Sequence, residues 1–194
     1  MTTWGHVYEW AEGSPVKNIR IHIRNMKTYA YRQGQWELIE EASENIGGSW
    51  WKEDYTGSAP LGDVRAEPEG GISFTMVPGH NYHWWSPVWP RPSIPKDAEA
   101  FYTAIEIRLI PNTDPNVDLN NAKYLAGVSW DWYPTPFSSG PGPWPSVGIT
   151  RFRFVKPYWQ TLTMYVDGSF RAPSSPRQYR DWIKSRPLPP GVTE

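Results

Sequence analysis

The chain contains no cysteine, which removes disulfides, zinc–thiolate sites and a cysteine nucleophile from consideration. No apolar run reaches the roughly 18 residues of a membrane-spanning helix. The N-terminal stretch carries Trp4, His6, Glu9, Glu12 and Lys17 without a continuous apolar segment, so no signal peptide is visible there. Basic and acidic side chains nearly balance, 19 against 20, which argues against a large electrostatic footprint for nucleic acid. Gly-x-Ser-x-Gly and Gly-x-Gly-x-x-Gly are both absent, and Gly140-Pro141-Gly142-Pro143 is too rich in proline to cradle a phosphate with amides. Leu, Ile, Val and Phe are scarce, at about 19% of the chain. That level signals disorder only when net charge is high, and here it is −1.

What is abundant is aromatic and turn-forming. The 194 residues include 13 Trp, 11 Tyr, 16 Gly and 21 Pro, so rings are expected to supply the missing aliphatic area. The length fits one domain, taken as residues 1–185, with a proline-rich tail over 186–194. Ile19, Ile21 and Ile23 alternate with Arg20, His22 and Arg24, the period of a strand with one buried and one wet face. Gln33-Gly34-Gln35 between 28–32 and 36–40 reads as a hairpin turn. Further strands are expected over 71–77, 100–110, 124–133, 147–155 and 158–166. Ser175 as a cap, Pro176 at the first position and Pro187 beyond predict one short helix over 176–184. The expected fold is all-β, an antiparallel β-sandwich of jelly-roll type with that one C-terminal helix.

Trp50-Trp51, Trp84-Trp85 and Trp130-x-Trp132 are pairs or near-pairs. Adjacent strand residues point to opposite faces, so one indole of an adjacent pair is available to the surface. Trp4, Trp36 and Trp182 read as core. The segments 85–95 and 135–145 read as stiff proline loops that hold Trp89, Phe137 and Trp144 outward. An exposed indole offers a flat apolar surface with a polar edge, which suits the C–H face of a pyranose. The expected function is therefore non-catalytic binding of a carbohydrate polymer. Its candidate residues are Trp84, Trp85, Trp89, Trp130, Trp132, Trp144, His80, Asn81, His83 and Asp131. The composition resembles that of carbohydrate-binding modules and lectins in style only, and this transfers no residue. An extracellular location, with any signal peptide already removed, is expected ahead of a cytoplasmic one. Neither a nucleic acid nor a membrane is expected as partner.

Two other classes compete with this reading. A polysaccharide-degrading enzyme would need paired carboxylates, for which Glu106 and Asp131 are the foremost candidates and Glu9, Asp54 and Glu67 the reserves. A lyase would need cations against a uronate. Arg20, His22 and Arg24 on one face, or Arg151 and Arg153 on another, supply them. A structural protein would bury outward aromatics against another copy. No cofactor is expected. His80 and His83 fall on opposite faces of a strand, so a shared metal would need a bulge between them. Asp114, Asn116 and Asp118 are weak calcium candidates. An EF-hand is excluded because Leu119 and Leu125 stand where its glycine and glutamate belong. Asx turns are the simpler use of these side chains.

Overall fold

The computed structural model describes residues 2–9, 16, 18–41, 50–54, 63–75, 83–87, 97–131, 146–149 and 153–167. The strands among them are β1 (Thr2–Glu9), β2 (Ile19–Arg32), β3 (Gln35–Glu41), β4 (Trp50–Asp54), β5 (Arg65–Ala66), β6 (Ile72–Thr75), β7 (His83–Pro87), β8 (Ala100–Pro111), β9 (Tyr124–Asp131), β10 (Ser146–Ile149), β11 (Arg153–Phe154) and β12 (Gln160–Asp167). The only helix among the described residues is a single 3₁₀ turn, Leu119–Asn121, and none is long and apolar enough to cross a membrane. The described residues are thus mostly strand in antiparallel sheets, with almost no helix. The helix expected over 176–184 lies outside the described residues.

Two sheets form, and every pairing in them is antiparallel. In the first the order is β10-β9-β1-β7-β4, with β11 also on β9. In the second the order is β12-β8-β2-β6-β5, with β3 also on β2. The organising element is β2. One of its edges runs along β8, while β6 takes the first part of the other edge and β3 the last. Its register slips between Arg24 and Lys27, where Asn25 adopts φ 52°. This bulge inverts the strand's parity. Before it Ile19, Ile21 and Ile23 are buried in the core; after it Met26 and Ala30 are.

The core draws on both sheets. Ile72 and Phe74 of β6, Phe101, Ile105, Ile107 and Leu109 of β8, and Leu162 and Met164 of β12 form one buried cluster with the β2 residues. Tyr124 and Ala126 of β9 and Val155 belong to the same cluster. The segment after β11 ties the sheets by backbone: the Val155 amide donates to the Tyr124 carbonyl at 2.8 Å, and the Leu109 amide to the Lys156 carbonyl at 2.8 Å. Rings and isoleucines share the described core: Ile19, Ile21, Ile23, Ile72, Ile105 and Ile107 are buried, and so are Tyr29, Phe74, Phe101, Tyr102, Tyr124 and Tyr165. Tyr29, Tyr102 and Tyr165 form a second buried cluster against which Tyr31 and Trp36 pack. The tryptophans whose side chains are described, Trp36 and Trp159, are half-buried.

The β2–β3 connection is as expected. Arg32 pairs with Gln35, leaving Gln33 at φ 51° and Gly34 at φ 81°. Positive φ at both central residues is the type I′ turn that matches strand twist. Nothing lies within 4 Å of a Cβ built on Gly34. Gly34→Ala is therefore expected to cost only the left-handed backbone penalty, about 1 kcal/mol, measured as a small drop in the denaturant midpoint.

The proline-loop reading of 85–95 is corrected at its start. Residues 83–87 are strand β7, paired with β1 on one side and β4 on the other. Pro87 ends that strand opposite Trp50, a terminal position where the missing amide donor is tolerated.

Candidate functional site

The outer face of the second sheet carries its charge. Arg20, His22 and Arg24 alternate with the isoleucines of β2. The register sets His22 between Ser73 and Arg108, and Arg24 beside Glu106. This face was expected to be wet, and it is covered: Arg20 is 1% exposed and His22 0%. The cover is the segment from Asp63 to Gly71 and the ring of Trp159.

Arg20 is held by acceptors on three sides. Its Nε donates to Ser73 Oγ at 2.7 Å, and Nη1 to Asp63 Oδ2 at 2.7 Å and Thr75 Oγ1 at 2.9 Å. Its Nη2 donates to the carbonyls of Asp63 and Ser73. Asp63 is shared with Arg65, whose Nε donates to Oδ1 at 3.0 Å and Nη2 to Oδ2 at 2.9 Å. The Arg65 hydrogen bonds hold the Asp63 carboxyl below the ordinary carboxylate range, helped by Thr75 and Arg20.

Further along β2, the Arg24 guanidinium carbon lies 3.8 Å from the centre of the Trp159 ring, and that of Arg108 lies 4.5 Å from it. Two guanidiniums on one indole is a cation–π arrangement, worth about 0.5–1 kcal/mol each where partly exposed. Arg24 Nε also donates to Glu106 Oε2 at 2.6 Å, and Asn25 Nδ2 donates to the same oxygen at 2.7 Å. Arg108 Nη2 donates to Glu69 Oε1 at 2.9 Å. That bond keeps Glu69 ionised to lower pH than a free glutamate.

Glu106, the foremost acid/base candidate, is thus the partner of Arg24, and Arg108 is taken by Glu69. Asp131 belongs to β9 of the other sheet, so no register brings these two carboxylates together. Asp114 Oδ1 accepts from the Asn116 amide at 2.9 Å, and Asp118 Oδ1 from the Asn120 amide at 3.0 Å. These are Asx turns, and Asp118 also caps the 3₁₀ turn. Among the described residues no group of three His, Asp or Glu side chains is placed to hold a metal ion.

The first sheet carries the tryptophan-rich strands, and its register sorts their positions. His6 pairs with Trp84, which pairs with Glu53 on its other side. Trp4 pairs with Ser129, and Trp51 with Ser86. Directly opposed residues share a face, and so do alternate residues of one strand. Positions 4, 6, 51, 53, 84, 86, 129 and 131 therefore lie on one face. Positions 85, 128 and 130 lie on the other, together with Tyr124 and Ala126, which are buried in the core.

Comparison with family models, curated proteins and solved structures found no match.

Of the ten candidate binding residues, five fall in described strands. Trp84 and Asp131 occupy the face opposite Tyr124 and Ala126, whereas His83, Trp85 and Trp130 occupy the same face as those core residues. The candidates His80, Asn81, Trp89, Trp132 and Trp144 lie outside the described residues. Trp4 and Trp51, which share a face with Trp84 through the register, are not among the ten candidates. The alternation within each strand is local, but the common parity of three strands exists only once their register is known. Trp159 was likewise read only as one alternating strand residue.

Proposed function

We propose that this chain binds a carbohydrate polymer, without cleaving it, on the face of the first sheet that holds positions 4, 51 and 84. The observation that carries the reading is the register: three tryptophan positions share that face with Ser86, Ser129, His6, Glu53 and Asp131, opposite the face of the buried Tyr124 and Ala126. Rings give the apolar stacking surface, and hydroxyls, imidazole and carboxylates give the hydrogen-bonding rim a sugar requires. At the β11 edge the same parity runs through Leu125, which is buried, to Phe154, which is 41% exposed. The finer architecture belongs to this proposal. A two-sheet sandwich is supported by the core cluster common to both sheets and by a chain that passes repeatedly from one sheet to the other.

The test starts with a glycan array on the full chain, followed by tryptophan fluorescence titration with the best polymer. Trp84→Ala and Trp51→Ala are each expected to weaken binding by about tenfold, the loss of one stacking ring, with the melting curve retained. Unchanged affinity in both variants would overturn the site. Release of reducing ends, abolished by Glu106→Gln, would replace binding by hydrolysis. A molecular mass that rises with concentration and not with glycan would favour self-association.

A further inference from the structure

His22 is a fully buried histidine, and its two ring nitrogens have different partners. Nε2 lies 2.8 Å from the Gly70 carbonyl. On the other side, Arg108 Nε donates to Nδ1 at 3.3 Å. A guanidinium has only donors, so Nδ1 must be the unprotonated acceptor. The proton then sits on Nε2 and is donated to Gly70. The geometry demands the neutral imidazole in a single tautomer. The ring edge packs on Trp159, with centroids 4.6 Å apart.

Gly70 belongs to a turn whose other side-chain ties to this face run through Glu67 and Glu69. Within the turn, the Gly70 amide donates to the Glu67 carbonyl at 2.9 Å and the Glu67 amide to the Gly71 carbonyl at 3.2 Å. Outside it, Arg24 Nη1 donates to the Glu69 carbonyl at 3.2 Å, Arg108 to the Glu69 carboxylate, and Ser73 Oγ to Glu67 Oε1. Glu69 thus sets the turn against Arg24 and Arg108, the two guanidiniums on the Trp159 ring, and the imidazole is its tie at Gly70.

We infer that His22 is a proton-operated latch: neutral, it closes the 67–71 turn over the Arg24–Trp159–Arg108 cluster, and protonated, it lets the turn open and uncovers that cluster. A proton on Nδ1 sets an N–H against the N–H of Arg108 and a positive charge against a positive charge, and it does so away from water. The other charged groups around the ring are Arg20 and Arg24 on its own strand, Glu106 beside Arg24 on β8, and Glu67 and Glu69 on the turn; Trp159, packed before β12, does not titrate. Glu67 and Glu69 attract the proton, but Glu69 is held by Arg108 and Glu67 by Ser73. Burial is the largest influence and pushes His22 below its ordinary 6.5; the Gly70 carbonyl pulls it back in part, and Arg108 lowers it further. The direction of the linkage follows. Because the closed state binds the proton less well than an open one, closure is at full strength above about pH 6.5 and is lost progressively as pH falls below it. The exposed carboxylates Asp63 and Glu69, whose values are depressed, act only at lower pH, so the two windows separate.

The test is amide hydrogen exchange on the full chain between pH 7.5 and 5.0, normalised to the intrinsic rate at each pH. Opening of the 67–71 amides is expected to rise by up to about tenfold per pH unit below 6.5, with β8 amides unchanged and no rise in His22→Gln. In parallel, ring nitrogen spectra should show the Nε2–H tautomer of His22 at pH 7.5, identified by elimination with His6→Gln, His80→Gln and His83→Gln. Flat exchange at 67–71, an equal rise in His22→Gln, an equal rise at β8, or an Nδ1–H tautomer would each overturn the latch. Should His22→Gln not fold, the wild-type chain decides. A shared midpoint for ring titration and turn opening supports the latch, and separate midpoints overturn it.

Discussion

Gly71→Ala is expected to lower stability by about 2–4 kcal/mol. Gly71 begins the approach to β6 at φ 73°, and a Cβ there would lie 2.0 Å from the Ile23 carbonyl oxygen and 2.6 Å from Arg24 Cβ. The left-handed backbone accounts for about 1 kcal/mol of the loss, and forcing an atom into a filled space for about 1–3 more. Relief by movement is blocked. The Ile23 and Arg24 backbone is paired to Ile107 and Glu106 on one edge, and Ile23 to Ile72 on the other. Gly34→Ala is the matched control, because it carries a similar φ of 81° with open space around the added carbon. The difference between the two denaturation midpoints, referred to a common slope, isolates the close approach. Equal losses would mean that the turn does not lie against β2 as described. For a chain of this size the expected loss corresponds to a melting temperature lower by about 10 °C.

Much of the second sheet is legible in the sequence because its signal is local. The Ile19–Ile23 alternation, the Gln33-Gly34 turn, and the alternation over 100–110 and 158–166 each lie within a single stretch, and each corresponds to an observed strand or turn. The first sheet is harder to read. Thr2–Glu9 and Trp50–Asp54 have no clean two-residue period, and Pro87 disguises a strand that only ends there. The bulge at Asn25 divides what reads as two strands, although one strand of 14 residues runs through it.

The covered face of β2 is the most instructive difference. Arg, His and Arg at alternate positions describe a solvated face by every local rule. Arg20 and His22 are buried, and Arg24 half-buried, because Asp63, which lies 43 residues further along the chain, and the Trp159 ring return over them. The partners that decide burial are distant in sequence. The candidate binding face has the same character, since positions 4, 51 and 84 come together only through the pairing of three strands.

Arg20→Met is expected to cost about 3 kcal/mol, and the sign depends on which of two opposing effects wins. Methionine fills similar space, and removing a guanidinium from the interior saves its desolvation. Exchanging a whole buried polar network for apolar groups can even be stabilising. This substitution removes only one member of the network. Ser73 is 0% exposed, and its carbonyl and hydroxyl lose the Nη2 and Nε donors. Each buried polar group left without its donor costs about 1–3 kcal/mol. Asp63 loses less, because it is exposed and retains Arg65. The penalty therefore comes from Ser73 and the Asp63 carbonyl and not from a stranded charge, which yields three measurable consequences. Raising the salt concentration should leave the loss nearly unchanged, since screening acts on exposed pairs. Arg20→Lys should recover little, because an ammonium cannot spread donors in a planar fork across Ser73, Thr75 and Asp63. Adding Ser73→Ala to Arg20→Met should recover little, because the Ser73 hydroxyl still donates to Glu67 and is not orphaned. A loss that vanishes at high salt, or that lysine fully repairs, would mean that Arg20 acts through its charge on Asp63 alone, and the hydrogen-bonded fork would have no part in holding the 63–71 segment down.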